Sequence, residues 1–225
     1  MSRNIPISFE FFPTKTDEGT QKLLQVHQRL AALNPSYFSV TYGAGGSTRE
    51  RTLSIVDSIQ QAAPIAVAPH LSCIGDDKAE IATLLHRYKN QGIKNLVALR
   101  GDLPSGQVGL GELPYARDLV EFVRQETGDH FHIEVAAYPE MHPQSYDYES
   151  DLKNFIAKVN AGANSAITQF FFNADAYFYF VERVRKAGVT IPIVPGIMPI
   201  TNASNLIRFA DGCGADVPRW IRKQL

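Results

Sequence analysis

Ile7-Ser-Phe-Glu-Phe-Phe-Pro13 reads as a short apolar strand that stops at a proline and carries one acid, Glu10, among Phe9, Phe11 and Phe12. A carboxylate so placed loses hydration, which favours its neutral, proton-donating form. The plainer alternative is a structural acid paired with an arginine or lysine. In either case the strand is expected to be buried on both faces, as strands of a parallel sheet are.

Outward from this strand, apolar runs alternate with segments of helical period, the pattern of repeated βα units. The strand candidates are Ile7–Phe12, Tyr37–Thr41, Ala66–Leu71, Asn95–Leu99, His132–Ala137, Ala166–Phe171 and Ile193–Gly196. The helix candidates are Asp17–Leu33, Thr48–Ala62, Asp76–Gln91, Tyr115–Thr127, Tyr148–Ala161, Ala174–Ala187 and Asn202–Cys213, with stop signals at Gly92, Gly162 and Gly188. In the third helix, Ala79, Ala82 or Thr83, Leu85 or His86 and Gln91 are expected to pack on the sheet, with Lys78, Glu80, Arg87 and Lys89 on other faces.

A unit spacing of ~30 residues, without a dinucleotide-fingerprint loop, predicts an α/β fold of the TIM (β/α)8 type over a doubly wound sheet. Residues 1–225 are expected to form one catalytic domain. After the seventh helix only Ala215-Asp-Val-Pro-Arg-Trp-Ile-Arg-Lys-Gln-Leu225 follows, which looks like another helix. The expectation is therefore a barrel lacking its last strand and helix, with first and seventh strand edges that invite pairing with another chain.

With 22 basic against 23 acidic residues, a net charge of −1 and no long basic run, the chain offers no footprint for nucleic acid or an anionic membrane. Small molecules are the expected partners. Two cysteines, Cys73 and Cys213, fit neither a metal knuckle nor a disulfide scaffold. With no apolar signal core or membrane-length run, they point to a soluble cytoplasmic setting.

In βα barrels the chemistry gathers where strands end. Those ends read Glu10; Thr41-Tyr-Gly-Ala-Gly-Gly46; His70; Arg100-Gly-Asp102; Tyr138-Pro-Glu-Met-His142; and Gln169-Phe-Phe-Phe172. The glycine loop and the helix start behind it suit a phosphate or carboxylate, although glycine-rich turns are also ordinary βα connections. Arg100 and Asp102 taken alone would be an ion pair at the strand mouth, and His70 alone a satisfied core histidine. No HExxH or CxxC pairing points to a metal, and none is expected. The Phe170–Phe172 run and Tyr177–Phe180 read as core and helix-packing residues.

These ends, in this order, resemble the methylenetetrahydrofolate reductase family. The resemblance is carried by Ser8-Phe-Glu-Phe-Phe-Pro13, Val40-Thr-Tyr-Gly-Ala-Gly-Gly-Ser47, Ala68-Pro-His70, Leu99-Arg-Gly-Asp102, Ala137-Tyr-Pro-Glu-Met-His-Pro143, Ala161-Gly-Ala163 and Ile167-Thr-Gln-Phe-Phe-Phe172. It implies a short bacterial-type flavoenzyme with FAD at the C-terminal face of a TIM barrel. It further implies NADH or NADPH as electron donor, 5,10-methylenetetrahydrofolate as substrate and a homo-oligomeric state. The product, 5-methyltetrahydrofolate, would supply methyl groups for methionine.

By the same resemblance, Tyr42, Ala44, His70, Arg100, Gly101, Asp102, Ala116, Tyr138, His142, Asp151, Asn154 and Lys158 would hold FAD. Thr41 and Gln169 would touch the nicotinamide donor. Glu10 would protonate the folate N10 and open the five-membered ring, with Asp102 stabilising the developing cation electrostatically. Gln169, Asn205, Phe209 and Asp102 would contact substrate.

Three departures stand out. Thr14 replaces a frequent second proline, which is expected to be harmless, and Asn205 replaces a glutamine, shortening a folate contact. The family's closing strand and helix, with an arginine directed at the folate tail, have no counterpart before Leu225. The competing expectation is a truncated relative that binds FAD or a full-length partner without turnover. A third, an unrelated TIM-barrel lyase or aldolase, lacks a Schiff-base lysine or metal ligands at the tips.

Overall fold

The computed structural model describes residues 5–42, 46–102, 109 and 111–225. Two compact units divide the chain, Met1–Ile133 and Glu134–Leu225.

The first unit runs β1 (Phe9–Phe11), α1 (Asp17–Ala31), β2 (Tyr37–Val40), α2 (Gly46–Ala62), β3 (Ala66–Ser72), α3 (Lys78–Asn90), β4 (Asn95–Leu99) and α4 (Ala116–Thr127). Its strands pair in chain order and in parallel, with Glu10 opposite Ser39, Ser39 opposite Ala68 and His70 opposite Val97. β5 (His132–Ala137) opens at the end of this unit. In the second unit come α5 (Tyr148–Asn160), β6 (Ser165–Thr168), α6 (Ala174–Lys186), β7 (Ile193–Val194), α7 (Ala203–Cys213) and α8 (Arg219–Gln224). There, too, β5, β6 and β7 pair in order and in parallel.

The fold is thus α/β, with the strand order and βα alternation of a TIM barrel. Seven strands of that eight-strand pattern are present among the described residues. No helix is long and apolar enough to cross a membrane among the described residues.

Side-chain caps set where the helices start behind the strand ends. Thr16 accepts from the Gly19 N–H at 3.1 Å, and Asp77 from the Glu80 N–H at 2.7 Å. Asp147 and Asn202 likewise accept from the Ser150 and Asn205 N–H groups. Each such cap stabilises its helix by about 1 kcal/mol.

Two expectations about packing are corrected. The face of α3 that packs inward is Ile81, Leu84, Leu85 and Tyr88, whereas Ala79, Thr83 and His86 are exposed. The i, i+3, i+4, i+7 stripe of large apolar side chains removes more area from water than a stripe of small and polar ones. In α6 only Phe180 of the aromatic cluster is fully buried, while Phe178 and Tyr179 face solvent. Consecutive helical residues point in directions about 100° apart, so four aromatics in a row cannot share one face.

The first strand departs most from expectation. β1 holds only three residues, and Glu10 is exposed. Phe9 and Phe11 turn to one side, stacking on Phe38 of β2 at 6.0 and 5.5 Å, and strand alternation sends Glu10 to the other. The desolvation expected for this acid is absent, because its aromatic neighbours in sequence are not its neighbours in space.

Candidate active site

In the first unit the acid finds a partner from the third strand. Glu10 Oε2 lies 3.1 Å from His70 Nε2, whose ring is buried at the end of β3. The nitrogen is not directed along a hydrogen bond, so the contact is a close electrostatic approach and not an aligned donor–acceptor pair. Glu10 keeps 39% of its side chain open to water and can exchange protons with solvent directly. Thr41 is drawn to the same edge, its N–H donating to the Phe11 carbonyl at 2.9 Å. The Tyr42 hydroxyl donates to Asp76 Oδ2 at 3.0 Å.

The end of β4 is held by β3. Ser72 Oγ donates to the Arg100 carbonyl at 2.8 Å, the Ile74 N–H donates to the same oxygen at 2.9 Å, and Cys73 Sγ approaches it at 3.6 Å. Burial pushes the Cys73 thiol up to about 12, so it is an inert packing group rather than a nucleophile. Arg100 Nε donates to the Gly101 carbonyl at 3.1 Å, and Asp102 follows, exposed. Gly101 has φ +84°, and a Cβ there would meet Ser72 Oγ at 1.9 Å. Ala116 opens α4, half-buried.

Ser72 was not among the candidates. Its only signal in sequence is a hydroxyl in an otherwise apolar strand end, and its role depends on a neighbouring strand 28 residues away. Ser72→Ala is expected to lower stability by about 0.5–1.5 kcal/mol, with Ser72→Thr restoring it. Denaturant unfolding checks this; unchanged stability in the alanine variant contradicts it.

The second unit carries the remaining candidates. Tyr138 and His142 meet edge to face, ring centroids 4.5 Å apart. His142 Nδ1 accepts from the Gln144 N–H at 3.0 Å, which puts the neutral ring's proton on Nε2. Asp151, Asn154 and Lys158 recur at i, i+3, i+7 along α5, and Asp151 accepts from Ser145 Oγ at 2.8 Å. Lys158 is half-exposed along its stem, but its ammonium is enclosed and donates to the Ala136 carbonyl. Burial pushes that ammonium down to about 8, against the pull of Asp151.

Gln169 lies just past β6, its N–H bonded to the Ala137 carbonyl and its Oε1 accepting from the Phe170 N–H. On α7, Asn205 and Phe209 are exposed; Arg208 donates to Asn205 Oδ1 at 3.3 Å and lies 5.5 Å from the Phe209 ring. Glu140, quoted in the motif without a role, is tied to Asp216 by a 3.0 Å hydrogen bond from the Asp216 N–H. Burial holds its carboxyl above the usual range, the Asp216 N–H opposes this, and the Asp216 charge adds to it. Ala44 and the glycines 43 and 45 lie outside the described residues.

Each unit by itself carries groups that suit an anionic ligand: Arg100 and His70 in the first, and the enclosed Lys158 ammonium in the second. Polar groups at successive strand ends of a parallel βα scaffold define a TIM-barrel enzyme.

The family model "Methylenetetrahydrofolate reductase" matches residues 1–225, and the chain belongs to that family. It is 45% identical over 217 residues to the 5,10-methylenetetrahydrofolate reductase of Salmonella typhimurium and 46% identical to that of Escherichia coli, covering 96% of this chain and 72% of each relative. A solved structure described as an uncharacterized protein from Clostridium thermocellum that binds two copies of 5-methyl-5,6,7,8-tetrahydrofolic acid has the same fold. It superposes with TM-score 0.69 at 17% identity, over 98% of this chain and 74% of that one.

Proposed function

We propose that residues 1–225 act as a catalytic domain that reduces 5,10-methylenetetrahydrofolate to 5-methyltetrahydrofolate, with electrons from NADH or NADPH passed through FAD. The observation that carries this is the Glu10 carboxylate of β1 beside His70 of β3, brought together across β2, in a chain of this family. When bound, the flavin supplies the hydride that the methylene carbon receives.

The chain's own residues do the rest. Glu10 delivers a proton to N10 of the folate, which lets the C–N10 bond break, and its open side lets water restore the proton. His70 holds the carboxylate from the buried side. Asp102, exposed after β4, offers negative charge to the cation that forms on the folate. Gln169, Asn205 and Phe209 orient the ligands by hydrogen bonding and ring contact.

Arg100 and Lys158 offer positive charge to the FAD phosphates, with Tyr42, Ala44, His70, Gly101, Ala116, Tyr138, His142, Asp151 and Asn154 completing that site. Thr41 meets the nicotinamide donor. The reading is tested by the visible spectrum of the purified chain after incubation with FAD. Near-stoichiometric bound flavin supports it; a colourless protein that takes up none contradicts it.

The Lys158 ammonium sets a pH dependence. Phosphate binds the charged form, so FAD affinity is expected to weaken about tenfold per pH unit above about 8. The folded value lies below the ordinary 10.5, so the unfolded chain retains a proton that the folded one has lost between the two values. Stability of the FAD-free protein therefore rises with pH over that window while FAD affinity falls. Titration at pH 7 and pH 9 checks it, and Lys158→Met is expected to remove the difference.

A further inference from the structure

We propose that Glu140 is a positioning residue whose carboxylate anchors the turn after α7 to the β5–α5 loop, holding α7 and its Asn205 and Phe209 in place for the folate. The proposal rests on the folate-reducing reading above.

Within Tyr138-Pro-Glu-Met-His142, the rings at the two ends have places in the cofactor site, and Glu140 between them does not. Its Oε2 reaches across 76 residues to accept the Asp216 N–H at 3.0 Å. The loop that presents it is tightly determined: Pro139 is buried, the Met141 N–H approaches the Tyr138 carbonyl at 3.3 Å, and Met141 sits at φ +80°. A non-glycine residue persists in that region only where its surroundings over-determine it.

The same loop receives the turn at a second point. Gly214, at φ +71°, lies so close that a Cβ there would come within 2.9 Å of Pro143 Cγ. The turn is continuous with α7 and α8 through one apolar cluster of Leu206, Ala210, Ala215, Val217 and Ile221, against which Phe170 and Phe172 pack. Displacing residues 214–217 therefore displaces α7 relative to the segment that follows Gln169. A backbone N–H bonded to the half-buried Glu140 carboxylate ties this turn at a defined point in addition to the packing.

The test compares Glu140→Ala with Glu140→Gln in the FAD-loaded protein, by steady-state kinetics and by hydrogen exchange at the Asp216 amide. Alanine is expected to raise KM for methylenetetrahydrofolate about tenfold, with kcat within about twofold. Exchange at Asp216 should speed up by about tenfold or more. Glutamine keeps an oxygen that accepts the same N–H and is expected to restore both.

A fall in kcat with KM unchanged overturns the proposal, as does unaltered Asp216 exchange in the alanine variant. Should Glu140→Ala not fold, the Asp216 amide of the unmodified protein decides: protection supports the anchor, and exchange at the rate of an unstructured amide overturns it. A protein with no folate turnover at all would sink the proposed function while leaving the exchange result to judge the anchor.

Discussion

Glu10→Gln slows folate reduction by about 10²–10⁴-fold while reduction of the flavin by NADH or NADPH stays within a few-fold of normal. The amide preserves the size of the side chain and its contact with His70, but it cannot give up a proton with the strength of a carboxylic acid. Only the folate half of the reaction needs that proton, because N10 leaves as an amine and the nicotinamide donor requires none. The acid is half-open to water, so the loss of one charge there should barely move stability. Stopped-flow traces of the two half-reactions separate the cases. Equal slowing of both would show that Glu10 holds ligands and does not transfer protons.

Gly101→Ala is expected to lower stability by about 2–4 kcal/mol and to abolish FAD retention. One part is backbone: φ +84° costs an L side chain about 1–3 kcal/mol. The other is space: the new methyl meets Ser72 Oγ at 1.9 Å, and overpacking of this kind costs about 1–3 kcal/mol. Rotating the Ser72 hydroxyl aside would relieve the worst contact, but it breaks the bond to the Arg100 carbonyl and leaves Ser72 Cβ at 3.1 Å. In a Ser72→Ala background the cost of Gly101→Ala should therefore shrink without vanishing, a non-additivity that a double-mutant cycle in denaturant measures. Strict additivity would place the strain elsewhere.

The strand ends were legible because in a parallel βα repeat the chain announces them, an apolar run stopping at a polar group before a capped helix. That is how Glu10, Thr41, His70, Arg100 and Gln169 emerged in order, and strands such as Asn95–Leu99 and His132–Ala137 matched to the residue. Burial was less legible. Glu10 is flanked by phenylalanines in sequence, yet alternation along β1 turns them to Phe38 and leaves the acid facing His70 and water. In α3 the small residues looked like a packing stripe, and the larger stripe at Ile81, Leu84, Leu85 and Tyr88 prevailed. Ser72 and Glu140 were invisible as contributors because each acts on a backbone group distant in sequence, Arg100 in one case and Asp216 in the other.

The most direct test of the central claim is anaerobic: the FAD-loaded 225-residue chain, its flavin already reduced, is mixed with 5,10-methylenetetrahydrofolate while flavin absorbance is followed and the folate product identified. The account predicts return of the oxidised flavin spectrum with a matching amount of 5-methyltetrahydrofolate, and almost none of either with Glu10→Gln. Flavin that stays reduced with the folate unchanged, in a protein that holds FAD, would contradict it.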